Sequence, residues 1–356
     1  MIKMKLLLPV IILFLVKIPG TFAAIKTDST YIKELDAILY CLENRNDTIF
    51  FLKTNADLQK KKPTIIFCQG SQPSPLVIKS EGTPYIPSLN FDYQKWKDYN
   101  IIILSMPHTP PVMEDSLLKN GAFYVPDLKQ PHLFDLAYMA DNYLDKYVER
   151  VNSVIKYLLR QPWTDKQRLY IMGHSQGAYI AVKTAARNKH IAAVAFLSGD
   201  PDGRFAQQVK EIRKRAGQKK YAFGQEMQAE LNDRYSRWTD ICTEDKFPAG
   251  YNGGDPAHTW KSFSAPIQKD IAEIRQPLFI AYGTEDICAG SNELLPVYLN
   301  LYNKTNYKIL PLVDCGHNFE EIRDGKPDYN KMHWDDVFES FIKFIESSYP
   351  TTFPGQ

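Results

Sequence analysis

The stretch LYIMGHSQGAYIAV, Leu169 to Val182, changes character at its centre. Leu169 to Met172 is a short apolar run of strand formers, and Gly177 to Val182 has the small and apolar residues of a buried helix. Gly173-His174-Ser175-Gln176-Gly177 joins the two. A sharp strand-to-helix turn lifts a serine clear of a sheet and forces the backbone into close approach. Glycine is demanded on both sides because a side chain at 173 or 177 would collide. The helix expected to begin at about Gln176 directs the partial positive charge of its N-terminus at the serine hydroxyl. Ser175 is therefore a candidate nucleophile, and the backbone N–H of Gln176 a candidate oxyanion donor.

Outward from this stretch, strands and helices alternate. Pro63 to Cys68, Asn100 to Ser105, Arg168 to Met172, Ile191 to Leu197, Pro277 to Tyr282 and Tyr307 to Val313 read as buried strands. Ala140 to Arg160, Gln176 to Asn188, Asn292 to Tyr302 and Asp335 to Ser347 read as helices. Ala37 to Thr54 reads as two strands about a turn at Glu43 to Asp47. Pro107 to Pro131 is proline-rich and expected as loop. This rhythm predicts an α/β chain: a mostly parallel central sheet with helices on both faces. The interval from about 201 to 272 breaks the rhythm with a charged helical stretch, Phe205 to Asp233, and aromatic loops. It is long for a connection and is expected to be an inserted cap.

Gly173-His174-Ser175-Gln176-Gly177, set between its strand and helix, resembles the nucleophile turn of the α/β-hydrolase superfamily, which includes serine esterases and prolyl-oligopeptidase-like hydrolases. Two later motifs extend the resemblance over roughly Ala37 to Ser347. Gly283-Thr284-Glu285-Asp286 follows one strand and Asp314-Cys315-Gly316-His317 the next, in the family's order of serine, acid and histidine. The resemblance implies Ser175 as nucleophile, His317 as general base and then acid, and Asp286 as the carboxylate that orients His317. Glu285 is adjacent to Asp286 and aims elsewhere. Asp200, in Ser198-Gly199-Asp200, occupies the station where some members of the superfamily keep the acid; a turn at Asp200-Pro201-Asp202-Gly203 is its other reading. The second oxyanion donor is expected from Gln69-Gly70-Ser71, at the backbone N–H of Ser71. Gln69 replaces the family's usual histidine there. One such donor is worth about 3–4 kcal/mol of transition-state stabilisation.

Cys288 lies two residues past Asp286, and Cys315 two before His317. A bridge between them closes a loop of about 27 residues, worth about 3 kcal/mol, and pins the acid loop to the histidine loop. Tyr235, Trp238, Tyr251 and Trp260 are candidates to line a pocket or to pack the cap; Trp238 and Trp260 are carried as substrate-binding candidates. Glu226, Glu230 and Asp233 are candidates to hold a substrate amine, as a peptidase requires. His174 is expected to pack or hydrogen-bond beneath the turn.

The ends and the composition set the remaining limits. Lys3 and Lys5 precede the apolar run Leu6 to Val16, and Thr21-Phe22-Ala23-Ala24 supplies small residues, the layout of a signal peptide over residues 1–23. The mature chain is then 24–356, secreted or periplasmic, with no stable membrane insertion after cleavage. Export makes disulfides permissible, and with five cysteines at least one stays unpaired or pairs between chains. Asn46-Asp47-Thr48 and Asn303-Lys304-Thr305 are glycosylation sequons. With 43 basic and 41 acidic residues, a net charge of +2 gives no field for nucleic acid. No histidine or cysteine spacing suggests a metal, and no cofactor is expected. The expected partner is a small-molecule ester or short peptide, cleaved through an acyl-enzyme; an acyltransferase, and a non-catalytic binding module on the same fold, are the alternatives.

Overall fold

The computed structural model describes residues 26–44, 47–218, 220–243 and 254–348. The expected signal peptide, the sequon at Asn46 and the pocket candidate Tyr251 lie outside the described residues. Nine strands form the central sheet. In chain order they are β1 (Lys26–Ile32), β2 (Ala37–Asn44), β3 (Asp47–Thr54), β4 (Lys62–Cys68), β7 (Asn100–Leu104), β9 (Thr164–His174), β10 (Ala193–Leu197), β11 (Leu278–Gly283) and β12 (Tyr307–Leu312). Short strands β5 (Val77–Ser80), β6 (Thr83–Tyr85) and β8 (Val112–Glu114) pair in a side sheet, and β13 (Glu320–Arg323) pairs with β14 (Lys326–Met332).

The order across the main sheet is β1-β2-β3-β7-β4-β9-β10-β11-β12. The β1-β2-β3 meander is antiparallel and joins β7 antiparallel; from β7 to β12 every pair is parallel. After β4 the chain crosses to β7 on one side, then returns to β9 on the other. The reversal leaves a crevice at the carboxyl ends of β4 and β9, where open α/β sheets bind ligands. Cys68 pairs with Gly173 at that end.

The strands alternate because each side chain faces the opposite surface from its neighbour. Ile66, Ile102, Leu169 and Ile171 face one core, shared with α2 (Leu144–Leu158), α3 (Gln176–Arg187) and α8 (Ala289–Leu301). Ile65, Phe67, Ile101, Ile103, Tyr170 and Met172 face the other, where α9 (Trp334–Ser348) lays down Trp334, Val337, Phe338, Phe341, Ile342 and Ile345. Helices thus cover both faces of a mostly parallel sheet.

Between β10 and β11 run α4 (Arg204–Gly217), α5 (Gly224–Thr243), α6 (Ala257–Ser264) and α7 (Gln268–Glu273). Phe263, Ile267, Ile271 and Ala272, from the second half of this interval, lie inside the main core. Only Ile212 of α4 and Leu231 of α5 are fully buried; the rest of α4 is mostly half-buried and the rest of α5 mostly exposed.

The helix expected over Ala140 to Arg160 is two helices, α1 (Leu136–Asp141) and α2. Asn142 separates them. Its amide donates to Asp255 Oδ1 at 3.0 Å, its side-chain oxygen accepts from Tyr147 at 2.9 Å, and its carbonyl accepts from Thr259. Tertiary hydrogen bonds thus replace the helical ones that a continuous helix would make there. The edge strand β1 is also absent from the sequence reading. Its sequence KTDSTYI carries no apolar alternation, and exposed residues need none.

Candidate active site

β9 ends at His174, and α3 begins at Gln176. Ser175 between them has φ 56° and ψ −121°, a strained turn that nothing but its surroundings maintains. Those surroundings explain both glycines. A Cβ at Gly173 would stand 2.0 Å from the Gly177 carbonyl oxygen, and one at Gly177 would stand 2.0 Å from that of Cys68. The helix therefore seats directly on β4. Ser175 N–H donates to Leu197 O at 2.9 Å, tying the turn to β10 as well. Ala178 N–H, in the first turn of α3, donates back to Ser175 O at 3.1 Å; Gln176 N–H heads the helix, where no acceptor four residues earlier belongs to it.

The loop after β4 meets the serine from the other side. A Cβ on Gly70 would lie 3.8 Å from Ser175 Cβ, so the loop touches the nucleophile turn. Gln69, buried, donates its side-chain amide to Leu104 O at 3.0 Å and so fixes the loop to β7. Tyr138 O–H donates to Ser71 O at 2.9 Å. Ser71 thus sits in a loop restrained at both ends, next to Ser175.

His317 Nε2 lies 3.0 Å from Ser175 Oγ, and His317 Nδ1 lies 2.8 Å from Asp286 Oδ2. Serine, imidazole and carboxylate, which are up to 142 residues apart in sequence, form one hydrogen-bonded line. The Asp286 side chain is only 2% exposed, whereas that of His317 is 36% exposed. Burial acts to raise the Asp286 carboxyl, but the hydrogen bond and charge of His317, with the Cys288 donors, hold it below its ordinary value. Burial acts to lower His317, but the bond to Asp286 and its charge outweigh this and raise it above 6.5. The pair therefore favours an imidazole able to accept a proton while its acid stays ionised.

The acid and histidine loops are held together without a disulfide. Cys288 and Cys315 are both free thiols, which corrects the expected bridge. Backbone bonds make the connection instead. Thr284 N–H donates to Leu312 O and Glu285 N–H to Cys315 O, each at 2.9 Å, while Asp314 N–H donates to Thr284 Oγ1 at 2.9 Å. A Cβ at Gly283 would stand 2.2 Å from Cys315 O, so the loops are already in contact. The Cys288 thiol turns the other way and donates to Asp286 Oδ2 at 2.9 Å.

His174 carries the histidine loop. Its Nε2 lies 2.9 Å from His317 O, and a carbonyl only accepts, so Nε2 bears the proton. Burial, followed by the charge of His317, pushes His174 down to about 3, so it stays neutral. Its ring packs 4.9 Å from Trp334 and 5.8 Å from Phe319.

The remaining candidates go elsewhere. Asp200 is fully buried and faces Lys210 of α4, whose Nζ donates to both carboxylate oxygens at 2.7 and 2.8 Å. Trp238 stacks on Phe205 at 4.7 Å, and Trp260 lies 4.3 Å from the Arg204 guanidinium. Tyr235 is exposed. Glu230 pairs with Arg215 at 2.6 Å, Asp233 with Arg237 at 3.0 Å, and Glu226 accepts from Ala222 N–H at 3.0 Å. Among the described residues, no three His, Cys, Asp or Glu side chains group to hold a metal ion, and no helix is long and apolar enough to cross a membrane.

Sequence reading missed the Cys288 donor and the Lys210 partner of Asp200. No motif surrounds Cys288, and Lys210 is one cation among many on a charged helix.

No protein-family model matches the chain, and no curated protein matches it. Solved structures do. Acetyl xylan esterase 1 from Thermoanaerobacterium sp. JW/SL YS485 superposes with a TM-score of 0.50 at 16% identity, over 92% of this chain and 88% of that one. Acetyl xylan esterase from Paenibacillus sp. R4 gives 0.50 at 13% identity, over 91% and 89%. The acylaminoacyl peptidase of Pyrococcus horikoshii gives 0.50 at 16% identity, over 86% of this chain and 41% of that one. The chain has the α/β-hydrolase fold.

Proposed function

We propose that the protein is an exported serine hydrolase that cleaves carboxylic esters through an acyl-enzyme on Ser175. The observation that carries this reading is the hydrogen-bonded line from Ser175 Oγ through His317 to Asp286, with contacts of 3.0 and 2.8 Å. In the reaction, Ser175 Oγ attacks the carbonyl carbon while its proton passes to His317 Nε2. The N–H groups of Gln176 and Ser71 hold the oxyanion that forms. The tetrahedral species collapses as His317 gives the proton to the departing alkoxide. Water, deprotonated by the same imidazole, then attacks the acyl carbon and releases the acid, restoring Ser175. Asp286 stays ionised throughout and stabilises the imidazolium. The segment over residues 1–23 is removed on export, and of the insertion over about 201–272 the first part, with α4 and α5, caps the crevice, while its second half packs into the core.

An ester is favoured over a peptide by what became of the acidic candidates. Glu226, Glu230 and Asp233 are engaged locally, so the insertion offers a substrate ammonium no free carboxylate among these three. The test is a panel of p-nitrophenyl esters of rising chain length beside aminoacyl-p-nitroanilides, run with purified 24–356 and its Ser175→Ala variant. Ester turnover that Ser175→Ala abolishes is expected. Faster anilide than ester turnover would replace this reading with a peptidase, and equal turnover by the variant would end it.

A further inference from the structure

We propose that Cys288 is a positioning residue: its thiol donates to Asp286 Oδ2 and so governs how strongly that carboxylate holds the proton on His317. The kinetic consequence rests on the serine-hydrolase reading; the hydrogen bond does not.

Three observations converge. Cys288 stands at the N-cap of α8, where a side chain ordinarily accepts from the helix's own first turn, yet it makes no capping bond. Its Sγ instead lies 2.9 Å from Asp286 Oδ2, the same oxygen that takes His317 Nδ1 at 2.8 Å. Both partners are shut away from solvent, Cys288 at 0% exposure and the Asp286 side chain at 2%, so water does not compete for that oxygen. A thiol is a weak donor to a neutral acceptor, but a buried carboxylate strengthens the bond. The Cys288 N–H makes only a long contact, 3.5 Å, to the other oxygen. The thiol is therefore a principal donor to Asp286 besides His317.

The sign of the effect follows. An S–H bond draws negative charge on Oδ2 toward sulfur and away from His317. Its removal leaves that charge to the imidazolium, which then binds its proton more tightly. Burial, and after it the charge of Asp286, keep the Cys288 thiol protonated, so the donor is present throughout the working range. The other titratable groups facing this line are His174 on β9 and Glu320 on β13, toward His317, and Asp200, Lys210, Tyr179 and Tyr282, toward Cys288; all are present alike in wild type and both variants.

The experiment compares wild type, Cys288→Ala and Cys288→Ser. The titration midpoint of His317 is read by NMR on ¹⁵N-histidine-labelled protein, with the resonance assigned from His317→Gln. Fluorophosphonate labelling is followed on the same samples. Cys288→Ala should raise the midpoint by about 0.5 pH unit or more. Cys288→Ser, with a stronger donor, should leave it at or below the wild-type value. An unchanged midpoint in Cys288→Ala overturns the proposal. So does a rise in Cys288→Ser as large as in Cys288→Ala, which would point to packing. Should the alanine variant not fold, the serine variant decides alone: a midpoint at or below the wild-type value supports the proposal, and a midpoint above it overturns it. A midpoint shift with no labelling of wild type would remove the hydrolase reading and keep the bond; labelling with no shift would remove the bond's role alone.

Discussion

Asp200 and Asp286 sit just beyond neighbouring parallel strands, β10 and β11, at the end of the sheet where the crevice opens. Both are buried, and both have a cationic or proton-binding partner. Asp286 faces His317, a group that exchanges protons near neutrality. Asp200 faces Lys210, whose charge is held above its ordinary proton affinity by the bonds to Asp200 and Asp202, despite burial. The first pair lies in line with Ser175. The second belongs to a knot with Asp202 and Ser291, and its partner Lys210 comes from the insertion. Two carboxylates with similar backbone stations thus carry different chemistry. The partner decides the role, and the station alone does not.

Substitution of each acid by its amide separates the two most sharply. Asp286→Asn should lower kcat by about 10³- to 10⁴-fold, because the amide no longer stabilises the imidazolium and favours the wrong tautomer. Asp200→Asn should leave kcat within a few-fold of wild type. Ester hydrolysis at saturating substrate measures both, and the reverse pattern would exchange the roles.

The second effect is on stability. Lys210→Met leaves the Asp200 carboxylate fully buried without its cation, at a cost of about 3 kcal/mol in urea unfolding near neutral pH. Burial already pushes the Asp200 carboxyl up and Lys210 opposes it, so the variant raises the folded-state value further. A group whose folded value is raised stabilises below its unfolded value and loses that contribution as pH rises. The deficit should therefore shrink in acid and grow toward neutrality. A constant deficit across pH would mean that lost packing, not the unpaired charge, is responsible.

Much of this arrangement was legible in the chain. β4, β7, β10, β11 and the second half of β9, Leu169–His174, are buried on both faces and so appear as largely apolar runs. The Ser175 turn is legible because Gly173 and Gly177 each face backbone closer than a side chain permits. Chain order then pointed to Asp286 and His317, and their side chains do meet. What was hidden depends on contacts between distant segments. β1 is a polar edge strand, recognisable only by its pairing with β2. The break at Asn142 is set by Tyr147, Asp255 and Thr259. The spacing of Cys288 and Cys315 indicated that their loops are neighbours, but not that backbone bonds already join them or that the thiol faces Asp286. Chain order favoured Asp286 over Asp200, but not that Asp200 is taken up by Lys210, a cation on a helix whose sequence gives no hint of what it touches.

The account stands most directly on one measurement: intact-mass analysis and peptide mapping after a fluorophosphonate is added across a range of pH. The central claim predicts a single adduct per chain, located on Ser175. Because His317 must be neutral to take the serine proton and is held above 6.5 by Asp286, the labelling rate should fall tenfold per unit as pH drops below that raised value. An adduct on another residue, or a rate indifferent to pH through this range, would contradict it.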